Sequence, residues 1–245
     1  MNQVKPYEEL ALGKKEQVRR MFNNIAANYD FMNRLLTLRI DVLWRRKAVN
    51  KVRQFAHSRI LDVGAGTGDF AIELARLKPD KITGIDIAEV MLELGRKKIG
   101  QKKLDHIIEF MEADCEHLPF GDNTFDLATS AFGVRNFENL QGGLSEMLRV
   151  LKPGGHILIL ECSDPGKMPF RKLYNAYMNR ICPAVGGIFS ENKAYSYLNR
   201  SVSMFPSGKD FEAILQKTGF CEARFFPQSM GVATIYIAKK PEIAK

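Results

Sequence analysis

Three carboxylates and a glycine-rich turn stand at the ends of successive apolar runs. Asp62 precedes Gly64-Ala65-Gly66-Thr67-Gly68, Asp86 follows the next run, and Asp114 with Cys115 follows the third. Glycine is required where the backbone takes a positive φ or must approach a ligand closely, because a Cβ would clash. A carboxylate about 20 residues beyond such a turn can accept both hydroxyls of a ribose. One at the following strand end can accept from an adenine amino group while the next backbone N–H donates to the ring. The chemistry suggested is capture of a nucleoside. The turn reads Gly-x-Gly-x-Gly, whereas the dinucleotide fingerprint wants Gly-x-Gly-x-x-Gly, and the place of its third glycine is held by Asp69. An acidic residue there opposes a pyrophosphate at a helix N-terminus, so a cofactor without phosphates fits better. The thiol of Cys115 has nothing nearby to lower its pKa and reads as a pocket wall, not a nucleophile.

Positioning these residues requires strands that end on one edge. Apolar runs predict strands at 59–63, 81–86, 107–111, 125–131, 156–161, 221–227 and 232–239, and helices over 69–77, 88–98, 138–150 and 208–217. Such alternation implies an α/β fold with a doubly wound, seven-stranded, mostly parallel sheet. Ahead of it, Val18, Met21, Phe22, Ile25 and Tyr29 keep helical spacing over 14–29. Trp44, Ala48, Val52 and Phe55 do the same over 41–55, where Asp41 is placed to cap the start. Pro153-Gly154-Gly155 predicts a turn before the fifth strand. Residues 163–206 interrupt the alternation, with Phe170, Leu173, Tyr174, Tyr177, Met178 and Ile181 on one helical face. An insertion beside the carboxyl ends of the strands is placed to act as a substrate lid. The expected division is a basic helical arm or cap over 1–58 and one α/β domain over 59–245 carrying that insertion.

The 245 residues suffice for a substantial core. The formal charge of +8 lies ahead of the glycine turn: residues 1–59 hold 13 Lys and Arg against 5 Asp and Glu, and the remainder holds 23 of each. Such an arm suits an anionic membrane surface or a nucleic acid, or is a solvated helical face. Cys115, Cys162, Cys182 and Cys221 form no CxxC pair, which suggests reduced thiols of a cytoplasmic protein. His57, His106, His117 and His156 lack metal-ligand spacing, so no metal is expected. Met1–Leu12 is polar and shows no signal peptide, and no apolar run approaches the ~20 residues of a membrane span. The expectation is contact with the inner face of a membrane without crossing it.

The glycine turn resembles the first motif of methyltransferases that use the cationic cofactor S-adenosyl-L-methionine (SAM), and longer runs narrow that resemblance. The run from Arg149-Val150-Leu151-Lys152-Pro153-Gly154-Gly155-His156 through Ile157-Leu158-Ile159-Leu160-Glu161-Cys162-Ser163 matches, along its length, a signature of the ubiquinone/menaquinone biosynthesis C-methyltransferase family. A second signature resembles Tyr29-Asp30-Phe31-Met32-Asn33 continuing to Trp44. The chain departs from it at Thr37, where the family usually has Ser, and at Asp41, where it usually has His. Phe132-Gly133-Val134-Arg135-Asn136 resembles the family at the end of the fourth strand, and the similarity covers nearly the whole chain.

The resemblance implies a class I, Rossmann-like SAM-dependent methyltransferase fold and a C-methyltransferase that releases S-adenosyl-L-homocysteine. The implied acceptor is a polyprenylated quinol, demethylmenaquinol or 2-polyprenyl-6-methoxy-1,4-benzoquinol. Cofactor contacts are expected at Asp62, Gly64, Gly66, Thr67, Gly68, Asp86, Asp114 and Cys115. The family often has a serine contact at the position of Ala131, which alanine cannot make through its side chain. Methylating a ring carbon requires the neighbouring hydroxyl to be polarised or deprotonated, so a reduced quinol should react and a quinone should not. Arg135, Asn136 and Tyr29 are the candidate catalytic residues. A guanidinium stays protonated, so Arg135 would stabilise a phenolate or order a water, with Asn136 orienting that water or a substrate oxygen. Asn33, Phe132, Tyr174 and Tyr177 are the candidate substrate contacts. The basic arm would hold an anionic leaflet, and a homodimer is compatible with this reading.

Competing readings make separate demands. An RNA methyltransferase would share the fold and use the basic arm. Amino-methylating members carry an Asn/Asp-Pro-Pro-aromatic run after the fourth strand, whereas this chain has Ser130-Ala131-Phe132-Gly133-Val134-Arg135, so no nucleic-acid partner is expected. A nicotinamide oxidoreductase is opposed by Asp69. A non-catalytic SAM- or quinone-binding protein on the same scaffold stays open. The readings differ in which ligand raises the melting temperature: S-adenosylhomocysteine, NAD(H) or neither.

Overall fold

The computed structural model describes residues 4–165 and 192–242. Two helices lead, α1 (Lys14–Leu36) and α2 (Ile40–Val52). There follow β1 (Arg59–Val63), α3 (Asp69–Leu74) with a 3-10 turn to Leu77, β2 (Lys81–Asp86), α4 (Glu89–Gln101), β3 (Ile108–Glu112) and β4 (Phe125–Ala131). A 3-10 turn at Val134–Asn136 leads to α5 (Leu140–Val150) and β5 (Leu151–Cys162). The chain ends with α6 (Asn192–Met204), α7 (Lys209–Thr218), β6 (Cys221–Gln228) and β7 (Ala233–Lys239).

The described strands form one sheet in the order β3-β2-β1-β4-β5-β7-β6. Among them only β7 runs antiparallel, to β5 and to β6. The doubly wound, mostly parallel sheet expected from the alternation is therefore present. The chain steps outward from β1 to β3 and then returns to place β4 beside β1, and that reversal opens a crevice at the carboxyl ends of both strands. Strand periodicity sends alternate residues to opposite faces. Ile60, Ile82, Leu127, Leu158 and Ile235 pack with Trp44, Ala48, Phe70 and Leu92 from α2, α3 and α4. Leu61, Ile85, Ala128, Ile159 and Tyr236 pack with Leu144, Met147, Phe211 and Leu215 from α5 and α7. Each fully buried side chain of this size contributes roughly 1.5–3 kcal/mol, so the two layers hold the strand ends rigidly in register.

The structure corrects three local expectations. Helix α1 runs beyond residue 29 to Leu36, because buried Met32 continues its apolar stripe. Asp41 is not a cap: Arg39 stands at the N-cap of α2 in a left-handed conformation, and Asp41 is buried inside the first turn between Thr37, Arg34 and Arg45. Strand β5 begins at Leu151, and Pro153-Gly154-Gly155 forms an irregularity within it instead of a turn before it. Gly154 has φ +77°, and the bulge stays stitched to the sheet because Gly154 N–H donates to Lys240 O and Lys240 N–H donates to Gly155 O.

Candidate active site

The glycine turn folds over the end of β2. The N–H groups of Gly64 and Ala65 both donate to Ile85 O, at 2.8 and 2.9 Å. Asp86 closes the arrangement: its Oδ2 accepts from Gly66 N–H at 2.9 Å and its Oδ1 from Ala88 N–H at 2.9 Å. Burial pushes this carboxyl up, against the lowering effect of those donors. Gly64 takes φ +71°, and a Cβ there would lie 3.4 Å from Gly133 Cα, so the turns after β1 and β4 meet at this point. Between them lies a cleft enclosing about 690 Å³.

Of the expected cofactor residues, Gly64, Gly66, Asp86, Asp114 and Cys115 line this cleft. Tyr29, Phe132 and Asn136 line it too. Ile85, Ile87, Met91 and Phe137 supply apolar walls. Asp114 Oδ2 accepts from Lys15 Nζ at 2.6 Å and Oδ1 from Glu116 N–H at 3.0 Å. Burial raises Asp114, but the Lys15 ammonium and the other donors outweigh it and hold the carboxyl below its usual value. Burial, with the Asp114 and Glu116 carboxylates, drives the Cys115 thiol upward, the direction of an unreactive sulfhydryl. Apolar walls between two carboxylates suit an adenosine with a cationic chain and repel a pyrophosphate, so the residues present fit SAM.

Three expected contacts lie elsewhere. Asp62 is buried beneath the turn, where Oδ1 accepts from Thr129 Oγ1 at 2.8 Å and Oδ2 has no hydrogen-bond partner among the described residues. Burial pushes its pKa up to about 7. Thr67 donates to Asp30 Oδ1 at 2.6 Å and accepts from Lys98 at 3.1 Å. Gly68 answers a packing need, since a Cβ there would stand 2.6 Å from the Phe110 ring. Asp69 belongs to a run of alternating charges. Lys98 pairs with Asp30 at 2.6 Å and with Asp69 at 2.7 Å, and Arg34 joins Asp69 at 2.5 Å to Asp41. Burial raises Asp69, but Lys98, Arg45 and Arg34 bring it below its usual value.

A second cavity of about 510 Å³ adjoins the first. Tyr29, Asn33 and Arg135 line it with Met21, Met32 and Tyr197, and Phe22 and Tyr29 border both cavities. The Phe22 and Tyr29 rings meet edge to face with centroids 5.9 Å apart. Arg135 Nη1 donates to Phe132 O at 2.6 Å and to Glu161 Oε1 at 2.7 Å, and its backbone N–H donates to Glu161 Oε2 at 3.2 Å. Burial works against the guanidinium charge, and the Glu161 carboxylate overcomes it to keep the group firmly protonated. Asn136 donates to Phe132 O at 3.3 Å and accepts from Tyr197 Oη at 3.1 Å. Burial raises the Tyr29 phenol, with Arg135 and a hydrogen bond to Asn33 acting the other way. Ala131 lines the first cleft, while the Ser130 hydroxyl is buried without a partner among the described residues. Tyr174 and Tyr177, with the apolar stripe they belong to, lie outside the described residues.

Sequence reading missed Glu161, Lys14, Lys15 and Tyr197. Glu161 carried a signal, as the one charge at the end of the apolar run Ile157–Leu160. The lysines carried none, because their partners are distant in sequence. Lys14 Nζ donates to Arg135 O at 3.0 Å and Phe137 O at 2.8 Å, and its N–H donates to Glu138 Oε1 at 2.7 Å. Burial and nearby Arg135 lower the Lys14 ammonium to about 8.

The model of the ubiE/COQ5 methyltransferase family matches residues 11–240. A demethylmenaquinone methyltransferase of Bacteroides fragilis is 44% identical over 240 residues, 97% of each chain. The ubiquinone/menaquinone biosynthesis C-methyltransferase UbiE of Geobacter sulfurreducens is 46% identical over 229 residues, covering 93% of this chain and 90% of the relative. Among solved structures, a SAM-dependent methyltransferase from Thermotoga maritima superposes with a TM-score of 0.65 at 19% identity, over 90% of this chain and 98% of that one. One from Aquifex aeolicus gives 0.58 at 19% identity, over 79% and 88%. The fold is that of class I SAM-dependent methyltransferases, and the chain belongs to the ubiE/COQ5 methyltransferase family.

Proposed function

We propose that this SAM-dependent C-methyltransferase methylates a ring carbon of a polyprenylated quinol, demethylmenaquinol above all, or 2-polyprenyl-6-methoxy-1,4-benzoquinol. The observation that carries this reading is the wall formed by Phe22 and Tyr29, which borders both a carboxylate-bearing cleft and a second, aromatic and methionine-lined cavity. The two cavities adjoin and share these two residues in their lining, so reactants bound in them lie side by side and need no free encounter. The names of the relatives support the acceptor class.

Asp86, Asp114, Gly64 and Gly66 would hold SAM, which supplies an electrophilic methyl group. The acceptor must gain electron density at carbon. Arg135, kept charged and fixed in direction by Glu161, would stabilise the oxygen of the neighbouring hydroxyl as its proton passes to a water and it becomes a phenolate; the ring proton that the methyl group replaces is released to water afterwards. Asn136, itself oriented by Tyr197, would position that oxygen or a water, and Tyr29 and Asn33 would close the site from α1. On this reading residues 1–58 serve as a cap over the α/β domain, and the protein works at the inner face of a membrane. Among the described residues no helix is long and apolar enough to cross one.

The test is incubation of purified protein with methyl-labelled SAM and a short-tailed demethylmenaquinone, with and without chemical reduction. Label in the naphthoquinol ring only after reduction is the expected result. Equal transfer to the quinone would overturn the phenolate step, and no transfer despite SAM binding would overturn the acceptor.

A further inference from the structure

Large apolar side chains are exposed where α1 turns into α2 and in the turn between β6 and β7. Leu38 is 75% exposed and Met230, in the turn between β6 and β7, is 74% exposed. Both sit in the left-handed region, Leu38 at φ +49° and Met230 at φ +59°. Bulky residues are rarely found there, and such strain persists only where the surroundings impose it. The β6–β7 turn is held against the start of α2, where Trp44 Nε1 donates to Ser229 Oγ at 2.9 Å, so both turns flank the same helix. Leu35, Ile40 and Leu43 extend the apolar surface. Arg39, Arg46 and Lys47 stand exposed around it, and the described partner of Arg46, Glu73, is 4.0 Å away.

We propose that this corner is the element by which the protein enters an anionic lipid bilayer, Leu38 and Met230 inserting while Arg39, Arg46 and Lys47 meet the headgroups. The inference rests on the quinol reading above and locates its membrane contact. Charge complementarity selects the occupant: apolar tips ringed by cations match acyl chains beneath anionic headgroups. Continuity with the site supports the same choice. Asn33 and Tyr29 line the acceptor cavity from the last turns of α1, immediately before the exposed corner, so an isoprenoid tail has a short path from cavity to bilayer.

The experiment is flotation of the full chain with phosphatidylcholine vesicles, with or without phosphatidylglycerol, comparing wild type with L38N/M230N. Asparagine tolerates the left-handed region better than either native residue, so the melting temperature should hold or rise. Wild type should float with the anionic vesicles, and the variant should bind them at least about tenfold more weakly. Undiminished flotation of the variant, or binding indifferent to phosphatidylglycerol, would overturn the proposal. So would concentration-dependent self-association that the substitutions abolish while vesicles go unbound, since the corner would then cover a second copy. Methylation of a short-tailed quinol without vesicles is measured in parallel. Its absence in wild type would sink the substrate reading alone, leaving the vesicle result to stand separately.

Discussion

Arg135 and Glu161 form a buried ion pair, Nη1 to Oε1 at 2.7 Å, reinforced by the Arg135 N–H to Oε2 at 3.2 Å. It ties the segment after β4 to the end of β5, so the guanidinium is aimed by a neighbouring strand. Deleting one member of such a pair leaves a buried charge without compensation, at roughly 3–5 kcal/mol. Arg135→Ala should therefore unfold at lower temperature and lose methyl transfer. Its SAM affinity, measured by calorimetry, should stay within about threefold, because the arginine borders the second cavity and not the cofactor cleft. A folded variant with wild-type turnover would end the catalytic role, and one that cannot bind SAM would make the residue part of the cofactor site.

Lys15 occupies the carboxylate that an adenine amino group is expected to use, with Nζ 2.6 Å from Asp114 Oδ2. Both side chains are partly exposed, about a third and a quarter, so the pair is worth at most about 1 kcal/mol. Lys15→Met should remove the strongest competitor for Asp114 Oδ2, leaving His117 Nδ1 at 3.3 Å, and tighten S-adenosylhomocysteine binding by roughly two- to fivefold at low salt. The gain should shrink as salt screens the pair in the wild type. Weaker binding in the variant would show that the lysine contributes to holding the ligand.

The sheet and its site edge were legible because they follow from short-range regularities: continuous apolar runs, the glycine turn and a carboxylate at the ends of the first three strands. What the sequence reading misplaced depended on distant partners. Asp69 was read only as an obstacle to pyrophosphate, whereas it pairs with Lys98 and Arg34 from two other helices. Gly68 was counted with the cofactor because it completes a pattern, yet a Phe110 ring from β3 is what forbids a side chain there. Asp41 had the position of a cap, but two guanidiniums drew it inside the helix. Four of the thirteen basic residues in 1–59, Lys14, Lys15, Arg34 and Arg45, are likewise paired inward instead of standing as free surface charge.

The two departures from the second family signature touch each other. Thr37 Oγ1 donates toward Asp41 Oδ1 at 2.8 Å and lies 2.6 Å from Asn33 O. Asp41 is buried and serves two arginines besides, so Asp41→Asn should destabilise the protein by several kcal/mol. Thr37→Ala should cost about 1 kcal/mol. Residues in one network couple by 0.5–3 kcal/mol, so urea unfolding of T37A/D41N should show less than the sum of the single effects. Strict additivity would mean that the hydrogen bond contributes nothing and the departures are independent.

Burial of the Asp62 carboxyl implies a pH dependence of stability with a definite sign. Its carboxyl is raised by burial from an ordinary 3.8 to about 7, so between those values the folded state holds a proton that the unfolded chain has released. Stability from this group is complete below pH 3.8 and is lost as pH climbs through 7, because ν_U − ν_N is negative in that window. The full swing is on the order of 4 kcal/mol. Asp62→Asn keeps an acceptor for Thr129 Oγ1 and carries no charge. It should flatten the fall in melting temperature between pH 5 and 8 and, at about pH 8, be more stable than the wild type. If both proteins lose stability in parallel over that range, the proton is not on Asp62, and the orphaned Oδ2 is satisfied by something other than protonation.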